Sequence, residues 1–247
     1  MNLPERIYPI VQPILKRLRR SRWVIRRLFG VEIPSGTCVQ FDPVTILLAK
    51  TIPELIEQHF VSSTQSDHWK IFETGIGEGA LVTLSIARWN ERRPAKPLDL
   101  RFSGVDCSTS RVESSQRVAS FNAIDADFWV SDLFGEVPEA IFDLVFFNPP
   151  YVPTRVGQKL RLTERLGVDG DQMWDGGEDG TVVLAKFLRE APKVLRPGGR
   201  IVFGVQPIFV DDDRVRQTIQ ASDLTLESTH SRSSIPAVLY VAKTTPT

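Results

Sequence analysis

The chain has 247 residues, which fits one α/β domain with a short extension and does not require two independent hydrophobic cores. Hydrophobic residues make up 42% and charged residues 24%, and no run of about 18 uncharged apolar residues occurs, which excludes disordered, fibrous and membrane-spanning architectures. The two cysteines and three histidines show neither metal-site nor disulfide-framework spacing. We therefore expect no metal and a reducing, cytoplasmic compartment.

The N-terminal segment is strongly basic, although the whole chain has 30 basic and 30 acidic residues. Residues 1–30 contain eight lysines and arginines and one glutamate, so they carry a net charge of +7 and the remaining chain carries −7. Pro13 can start a helix and Gly30 can stop one, and apolar residues recur between them at near-helical spacing: Leu15, Leu18, Ile25 and Leu28.

This pattern predicts one amphipathic basic helix. Its apolar side could pack on the body of the protein, or the helix could bind a polyanionic partner or surface. A removable transit peptide is a third interpretation.

The rest of the chain alternates between strand and helix patterns. After a helix over 44–59, apolar runs predict strands at 70–74, 101–105, 128–130, 144–147 and 200–205, with helices at 80–89, 111–122 and 181–195. Only a turn joins the third and fourth strands, and two last strands are predicted at 224–231 and 237–243. The expected fold is a doubly wound, mostly parallel, seven-stranded Rossmann-like α/β sheet with an antiparallel last strand and an N-terminal helical arm.

Ligands of such sheets bind beyond the carboxyl ends of the strands, where polar residues collect in this sequence. Glu73, Gly75, Gly77 and Gly79 follow the first strand and open a helix. Alternate glycines let the backbone approach a ligand closely and adopt positive φ. Taken alone, the loop could equally be a tight strand-to-helix turn.

Two acidic residues end the next strands. Asp106 could accept both ribose hydroxyls of a nucleoside, or it could cap the following helix. Asp132 could face an amino group such as that of adenine, with Leu133 and Phe134 beside the ring, or it could simply form a turn.

The most specific signal is Asn148-Pro149-Pro150-Tyr151, directly after an apolar strand. Two prolines cannot donate to a sheet, so the strand ends there and nearby carbonyl groups are free to face a ligand. The Asn148 side chain and such a carbonyl could accept both hydrogens of one planar NH₂ group, and Tyr151 could stack on a flat group. A strand-ending turn is the alternative interpretation.

Together, these four strand ends resemble the class I S-adenosylmethionine-dependent methyltransferases of the N-P-P-Y type. Residues 175–180, Asp-Gly-Gly-Glu-Asp-Gly, resemble the G-G-x-D-G segment of the HemK/PrmC branch, the glutamine side-chain methyltransferases that act on peptide-release factors. The resemblance covers about residues 41–205. It divides the chain into a basic helical arm, residues 1–40, and an S-adenosylmethionine-dependent methyltransferase domain, residues 41–247.

The resemblance implies a role for each strand end. Glu73 and the three glycines would hold the methionine part of S-adenosylmethionine, Asp106 and the adjacent Cys107 the ribose, and Asp132 with Leu133 the adenine. The acceptor amide would be held by the N-P-P-Y residues, which are Asn148, Pro149, Pro150 and Tyr151. Asn148 would also border the cofactor.

The first hypothesis is therefore an N-methyltransferase acting on a glutamine side-chain amide in a protein such as a peptide-release factor. The same chemistry serves the amino group of adenine in nucleic acids, and it also serves guanidine, amide or amine groups of small molecules. A cofactor-binding protein without enzymatic activity is a further alternative.

Overall fold

The computed structural model describes residues 17–60, 68–137, 141–166 and 170–245. Its helices are α1 (Arg22–Phe29), α2 (Pro43–Phe60), α3 (Leu81–Glu91), α4 (Thr109–Phe121), α5 (Thr154–Lys159), α6 (Leu162–Leu166), α7 (Gly170–Trp174), α8 (Val182–Glu190) and α9 (Asp212–Gln220). Its strands are β1 (Trp69–Thr74), β2 (Leu100–Asp106), β3 (Asp127–Val130), β4 (Phe142–Phe147), β5 (Leu195–Val205), β6 (Leu224–Arg232) and β7 (Ile235–Thr244). No helix in these ranges is long and apolar enough to cross a membrane.

The seven strands form one sheet in the order β3-β2-β1-β4-β5-β7-β6. Strands β1 to β5 pair in parallel, and β7 runs antiparallel to both β5 and β6. The predicted doubly wound sheet with an antiparallel last strand is confirmed. Since the chain moves from β1 to β3 in one direction and from β4 to β5 in the other, right-handed crossovers place the helices on both faces of the sheet.

The sequence of β4 shows why this strand lies at the centre. All six of its residues, Phe-Asp-Leu-Val-Phe-Phe, are buried, as expected of a strand covered on both faces. Thr74 at the end of β1 pairs with Val105 of β2 and with Phe147 of β4. The polar residues that follow these strands therefore lie at one edge of the sheet.

Two predicted boundaries near β5 need correction. The helix expected over 181–195 ends at Glu190 and continues only as a 3₁₀ turn, Ala191–Val194, which contains Pro192. A proline lacks the N–H group that an α-helix needs in its interior. Strand β5 also begins earlier than expected, at Leu195, and its pairing with β4 shifts register between Phe142 and Leu144.

The prediction of one continuous helix in the arm is wrong within the described residues. Residues 17–19 are helical, the helix stops at Arg20, and Ser21 begins a new one by accepting a hydrogen bond from the Val24 N–H. Serine is a preferred N-cap because its hydroxyl satisfies an otherwise unpaired N–H. The predicted stop is confirmed, since Gly30 has a φ of 70° and its N–H donates to the Arg26 carbonyl.

The expected apolar stripe of the arm is also only partly correct. Ile25 and Phe29 are buried in the main core, at 1% and 3% exposure, whereas Leu18, Leu28 and Trp23 are exposed at 48%, 39% and 74%. The predicted Leu15 and Pro13 lie outside the described residues. Helix α1 also contacts α2 and α3, so it packs on the body through one narrow face.

This packing predicts unequal effects of truncating the apolar side chains of α1. Phe29→Ala should lower the free energy of unfolding by about 3–5 kcal/mol and Ile25→Ala by about 2–5 kcal/mol, because both changes leave cavities in the core. Trp23→Ala is the matched control on the exposed side and should change stability by about 0.5 kcal/mol or less. Urea denaturation measures all three, and equal losses at the three positions would contradict the packing described.

Candidate active site

A cavity of about 460 Å³ opens at the carboxyl ends of β1, β2 and β4. Every site residue predicted from the sequence lines it: Glu73, Gly75, Gly77, Gly79, Asp106, Cys107, Asp132, Leu133, Asn148, Pro149, Pro150 and Tyr151. Residues separated by up to 78 positions are therefore brought to one place by the strand order. This position is the one at which open parallel sheets bind ligands.

The three glycines between β1 and α3 are required for different structural reasons. Gly75 and Gly77 have positive φ values of 67° and 63°, and a Cβ atom at Gly75 would lie 2.6 Å from the Phe147 ring. A Cβ atom at Gly79 would lie 2.9 Å from the Val39 side chain, and its φ is not positive. Only at Gly77 is there open space beside the backbone. The loop therefore admits a ligand at Gly77, while the other two glycines serve packing.

Glu73 is buried at the end of β1. Its Oε2 accepts hydrogen bonds from the N–H and the hydroxyl of Thr83, at 3.1 and 2.6 Å. Burial raises the pKa of Glu73 to about 8, against the opposing effect of these two bonds. The neighbouring strand leaves room for this residue through Gly104, where a Cβ atom would lie 2.7 Å from the Glu73 carbonyl oxygen.

Asp106 holds the glycine loop in place. Its Oδ2 accepts from the Gly77 N–H at 3.0 Å, and its Oδ1 accepts from the Ser108 N–H at 3.1 Å and pairs with Arg111 at 3.4 Å. The carboxylate is buried at the cavity wall, next to the exposed Cys107. Although the residue is exposed, partial burial of the Cys107 thiol and the adjacent Asp106 raise its pKa, so it remains a neutral group at this wall.

After β3, Asp132 and Leu133 line the cavity as predicted, whereas Phe134 does not. Asp132 lies at the cavity but its carboxylate pairs with Lys186 at 2.6 Å, and both side chains are exposed. Exposed ion pairs of this kind contribute little and are readily exchanged. Leu133 is buried with a φ of 52°. Phe134, expected beside a bound ring, stacks in the core between Phe72 and Phe187, because its side chain points away from the cavity.

Asn148 is oriented by residues that the sequence analysis did not single out. Its Nδ2 group donates to Asp42 Oδ1 at 3.0 Å and to Thr45 Oγ1 at 3.3 Å. Its Oδ1 has no hydrogen-bond partner among the described residues. Since only a donor can face the Asp42 carboxylate, these contacts fix which end of the amide is the nitrogen.

Tyr151 belongs to the same group of side chains. Its hydroxyl donates to Asp42 Oδ2 at 2.5 Å and accepts from Gln206 Nε2 at 2.5 Å. The ring is buried, and burial together with Asp42 holds the pKa of the phenol well above its ordinary value. Tyr151 is therefore a fixed wall of the cavity and a neutral group.

Asp42 could have been noticed in the sequence as a helix start. It precedes Pro43, the first residue of α2, and Asp-Pro before an apolar helix is a typical N-terminal signal. Its carboxylate indeed accepts from the Thr45 N–H at 2.8 Å. Nothing in the sequence shows, however, that this cap lies beside Asn148, which is 106 residues further on.

Segment 175–180 packs against the N-P-P-Y loop and the residues that follow it. Asp175 Oδ1 accepts from the Thr154 hydroxyl at 2.6 Å and from the Gly177 N–H at 2.9 Å. A Cβ atom at Gly180 would lie 2.5 Å from the Tyr151 carbonyl oxygen. The close contact explains why glycine stands at the end of this segment.

The cavity has the features of a site for a polar ligand. Four buried polar atoms of lining residues lack a hydrogen-bond partner among the described residues: Thr74 Oγ1, Glu78 Oε2, Asn148 Oδ1 and Trp174 Nε1. Buried polar atoms are normally paired, so their concentration here indicates a ligand that completes the bonding. In the same ranges, no group of three histidine, cysteine, aspartate or glutamate side chains could hold a metal ion.

Comparison with known proteins agrees with the cavity and the strand order. The fold and the matched sequence define a class I S-adenosylmethionine-dependent methyltransferase. The family model of the methyltransferase small domain matches residues 40–177, more than half of the chain. The chain belongs to this family.

Two relatives and one solved structure illustrate the similarity. A Methanocaldococcus jannaschii protein provisionally named protein N5-glutamine methyltransferase is 31% identical over 52% of this chain and 57% of its own length. The release factor glutamine methyltransferase of Caulobacter vibrioides is 27% identical over 74% of this chain and 58% of its own. A Pyrococcus furiosus methyltransferase structure is 15% identical, with a TM-score of 0.58 over 95% of this chain and 100% of its own, and shows the same fold.

The aligned region covers less than two thirds of each curated relative's own length. The family and the cofactor, S-adenosylmethionine, agree with the predictions made from the motifs. Open space at Gly77, a buried carboxylate at Glu73 and the unpaired polar atoms of the wall fit this cofactor, which carries an ammonium, a carboxylate, two ribose hydroxyls and an amino-substituted base.

The raised pKa of Glu73 predicts that its carboxyl group destabilises the folded protein at high pH, although the same group contributes to cofactor binding. Because the folded protein keeps the proton up to about pH 8 and the unfolded chain loses it near 4.5, the contribution of Glu73 to stability falls as the pH rises through this window. Glu73→Gln, which cannot ionise, should melt at a higher temperature than the parent above pH 8 and at a similar one near pH 4.5.

The same variant should bind S-adenosylmethionine about tenfold or more weakly, because the ammonium group of the cofactor would favour ionisation of Glu73 and pair with it, and a hydrogen bond to a charged group contributes about 1.5–3 kcal/mol. Thermal melts over this pH range and calorimetric titration measure the two effects. Parallel melting curves for parent and variant at every pH would show that Glu73 ionises normally.

Proposed function

We propose that this protein transfers a methyl group from S-adenosylmethionine to the side-chain amide nitrogen of a glutamine residue in a protein, such as a peptide-release factor. The observation that carries the proposal is the fixed amide of Asn148, whose nitrogen is bound to Asp42 and Thr45 while its oxygen has no partner among the described residues. A planar NH₂ group is the natural partner for such an oxygen. The glutamine methyltransferases among the relatives support the choice of a glutamine amide.

The residues that line the cavity suggest which part of the cofactor each of them would hold. Glu73 and the open side of Gly77 would receive the methionine part, Asp106 with Cys107 the ribose, and Asp132 with Leu133 the adenine. Asp106 has an oxygen on the Gly77 N–H, so it would hold loop and ribose together. For Asp132 to reach the base, its exposed bond to Lys186 must be exchanged.

S-adenosylmethionine, when bound, supplies a methyl group on a positively charged sulfur. The acceptor nitrogen donates its two hydrogens to Asn148 Oδ1 and to the Pro149 carbonyl, which draws its lone pair out of conjugation and aims it at the methyl carbon. Transfer of the methyl group to this nitrogen would leave the electron pair of the S–C bond on sulfur, and the nitrogen would then release one proton to solvent. Alignment at about 3–3.5 Å supplies most of the rate enhancement.

Neighbouring groups are suited to positioning and not to proton abstraction. The phenol of Tyr151 keeps its proton because its pKa is raised, and the hydroxyl group donates a hydrogen bond to Asp42. The nitrogen becomes acidic as it takes over the positive charge, so no strong general base is required. Pro150 and Tyr151 would shape the acceptor channel.

The proposal predicts a loss of turnover without a loss of cofactor affinity. Asn148→Ala should lower kcat on a glutamine-containing peptide by roughly 10²-fold, the order expected for removing one positioned polar group from a transition state. Calorimetry should show S-adenosylmethionine affinity within about threefold of the parent, since the acceptor contact is lost and the cofactor wall is intact. Mass spectrometry of the peptide locates the methyl group.

The parent protein is the control for substrate class. Labelled S-adenosylmethionine is incubated with glutamine peptides, adenine-containing oligonucleotides and a fraction of small metabolites. Label in the peptide, on the glutamine side chain, supports the proposal. Label in adenine or in a small molecule alone would reassign the acceptor.

We also propose that the basic arm, residues 1–40, binds a polyanionic partner, whereas the methyltransferase domain, residues 41–247, carries the reaction. Arg22, Arg26 and Arg27 are exposed on α1 beside the exposed indole of Trp23. Arginines interleaved with an aromatic ring favour phosphate contact together with stacking. Arg19 lines the cavity, so the arm approaches the site opening.

This second proposal predicts a change in salt dependence. Replacing Arg22 and Arg27 by glutamine should reduce the slope of log affinity against log salt for a structured RNA by about 2, or about 1 per lost phosphate contact. The matched control replaces Arg101 and Arg189, which are exposed on β2 and α8. Equal slopes for both double variants would rule out the arm as the binding surface.

A further inference from the structure

The carboxylate of Asp42 is the centre of a group of polar side chains drawn from three parts of the fold. It lies at the start of α2, Asn148 and Tyr151 follow β4, and Gln206 follows β5. Oδ1 accepts from the Thr45 N–H at 2.8 Å, from the Thr45 hydroxyl at 2.7 Å and from Asn148 Nδ2 at 3.0 Å. Oδ2 accepts from the Tyr151 hydroxyl at 2.5 Å.

The Asn148 amide nitrogen faces two oxygens of this group on one side. Asp42 Oδ1 lies 3.0 Å and Thr45 Oγ1 lies 3.3 Å from Nδ2, and the Thr45 hydroxyl donates its own hydrogen to Asp42 Oδ1 at 2.7 Å. A flipped Asn148 amide would place its oxygen against a carboxylate oxygen, which has no hydrogen, and against a hydroxyl whose hydrogen is engaged with that carboxylate. The flipped amide would therefore lose two bonds and face two acceptors.

From this arrangement we infer that Asp42 is a positioning residue that holds the Asn148 amide in one orientation, so that Asn148 presents only its acceptor oxygen to the substrate and takes only groups that carry hydrogens. This inference rests on the proposed function in one respect, namely that an NH₂ group is methylated. It extends that function to selectivity, because a glutamate carboxylate, which has no hydrogen, would meet the Asn148 oxygen and a backbone carbonyl. The site would thus reject glutamate in place of glutamine, although the two side chains have the same shape.

Glutamate would be rejected because its carboxylate leaves the acceptor oxygen of Asn148 unpaired, and not because of its size. Sites built around fixed hydrogen-bonding groups reject an analogue that leaves them unpaired far more strongly than apolar pockets reject a small change in size. This selectivity requires that the Asn148 amide cannot rotate. It therefore depends on Asp42, a residue that need not contact the substrate.

The test uses two substitutions that both preserve the helix cap. Serine and asparagine are N-caps comparable to aspartate, so Asp42→Ser and Asp42→Asn should both keep α2 intact. Asparagine can keep its oxygen towards Thr45 and Asn148 and its nitrogen towards the Tyr151 oxygen. Serine is too short to reach Asn148, so it releases the amide.

Asp42→Ser should lower kcat on a glutamine peptide by about 10-fold or more, because the acceptor is no longer held in line. Its affinity for S-adenosylmethionine should stay within about threefold of the parent. Asp42→Asn should recover most of the lost turnover. The matched glutamate peptide should inhibit Asp42→Ser competitively and should not inhibit the parent or Asp42→Asn, which separates the fixed orientation of Asn148 from the mere loss of a negative charge.

Asp211→Ser is the control for the substitution itself. Asp211 caps α9 by accepting from the Arg214 N–H at 2.8 Å, and it does not line the cavity. The variant should match the parent in turnover and selectivity. If Asp42→Ser fails to fold, Thr45→Val keeps the carboxylate and removes one of the two acceptors of the Asn148 nitrogen.

A second measurement does not depend on any acceptor. In the cofactor-free parent chain of 247 residues, nuclear magnetic resonance should show a slowly exchanging side-chain NH₂ signal that disappears in Asn148→Ala. Exchange of this signal should accelerate about tenfold or more in Asp42→Ser and should also accelerate in Thr45→Val. An unprotected signal in the parent, or unchanged exchange in the variants, would overturn the inference.

The two proposals fail in different ways. If the parent methylates adenine or a small amine and no glutamine peptide, the proposed function is wrong, and the comparison of Asp42→Ser with Asp42→Asn is made on that acceptor. If the parent methylates glutamine and Asp42→Ser stays within threefold of it, the function stands and the positioning role of Asp42 is wrong.

Discussion

The parallel pairing of β1 with β4 is the constraint on which the cavity depends. Thr74 pairs with Phe147, so the chain after β1 and the chain after β4 leave the sheet side by side, although they are far apart in sequence. Strand order reverses at this pair, and the helices that follow the two strands go to opposite faces, which leaves a crevice between them. The continuous burial of β4 fixes this pairing, because a strand so apolar is stable only at the centre of a sheet.

The polar groups at this crevice are held before any ligand arrives. Asp106 is bonded to the Gly77 loop, Glu73 to Thr83, and Asn148 to Asp42 and Thr45. Holding polar groups in place is costly for the folded protein, as the raised pKa of the buried Glu73 shows. The arrangement is stable because the large apolar core around it offsets such costs. Preorganisation of this kind reduces the reorganisation that would otherwise accompany binding and reaction.

Local patterns predicted the strands, their order of appearance and the polar strand ends, because period-two alternation and turn residues act over a few positions. The break at Ser21 was missed since the arginines around it fit a helix as well as a loop, and only the cap geometry reveals the second start. Phe134 was placed beside a ligand because its sequence position allowed it, but a left-handed φ at Leu133 turns the chain and sends the ring into the core. The bond between Asp42 and Asn148 has no local signal at all, because it is made by tertiary packing.

Asp42 shows how one residue couples the fold to the chemistry. As the cap of α2, its position is set by the packing of that helix, whose Val44, Leu47 and Leu48 are fully buried in the core. Through the same carboxylate, the position of α2 fixes the amide of Asn148. A shift of the helix start by a fraction of an ångström would therefore turn or displace the acceptor oxygen without any change in the N-P-P-Y residues. Substitutions in the core beneath α2 should then alter turnover before they unfold the protein, because the acceptor site depends on alignment more steeply than the fold does.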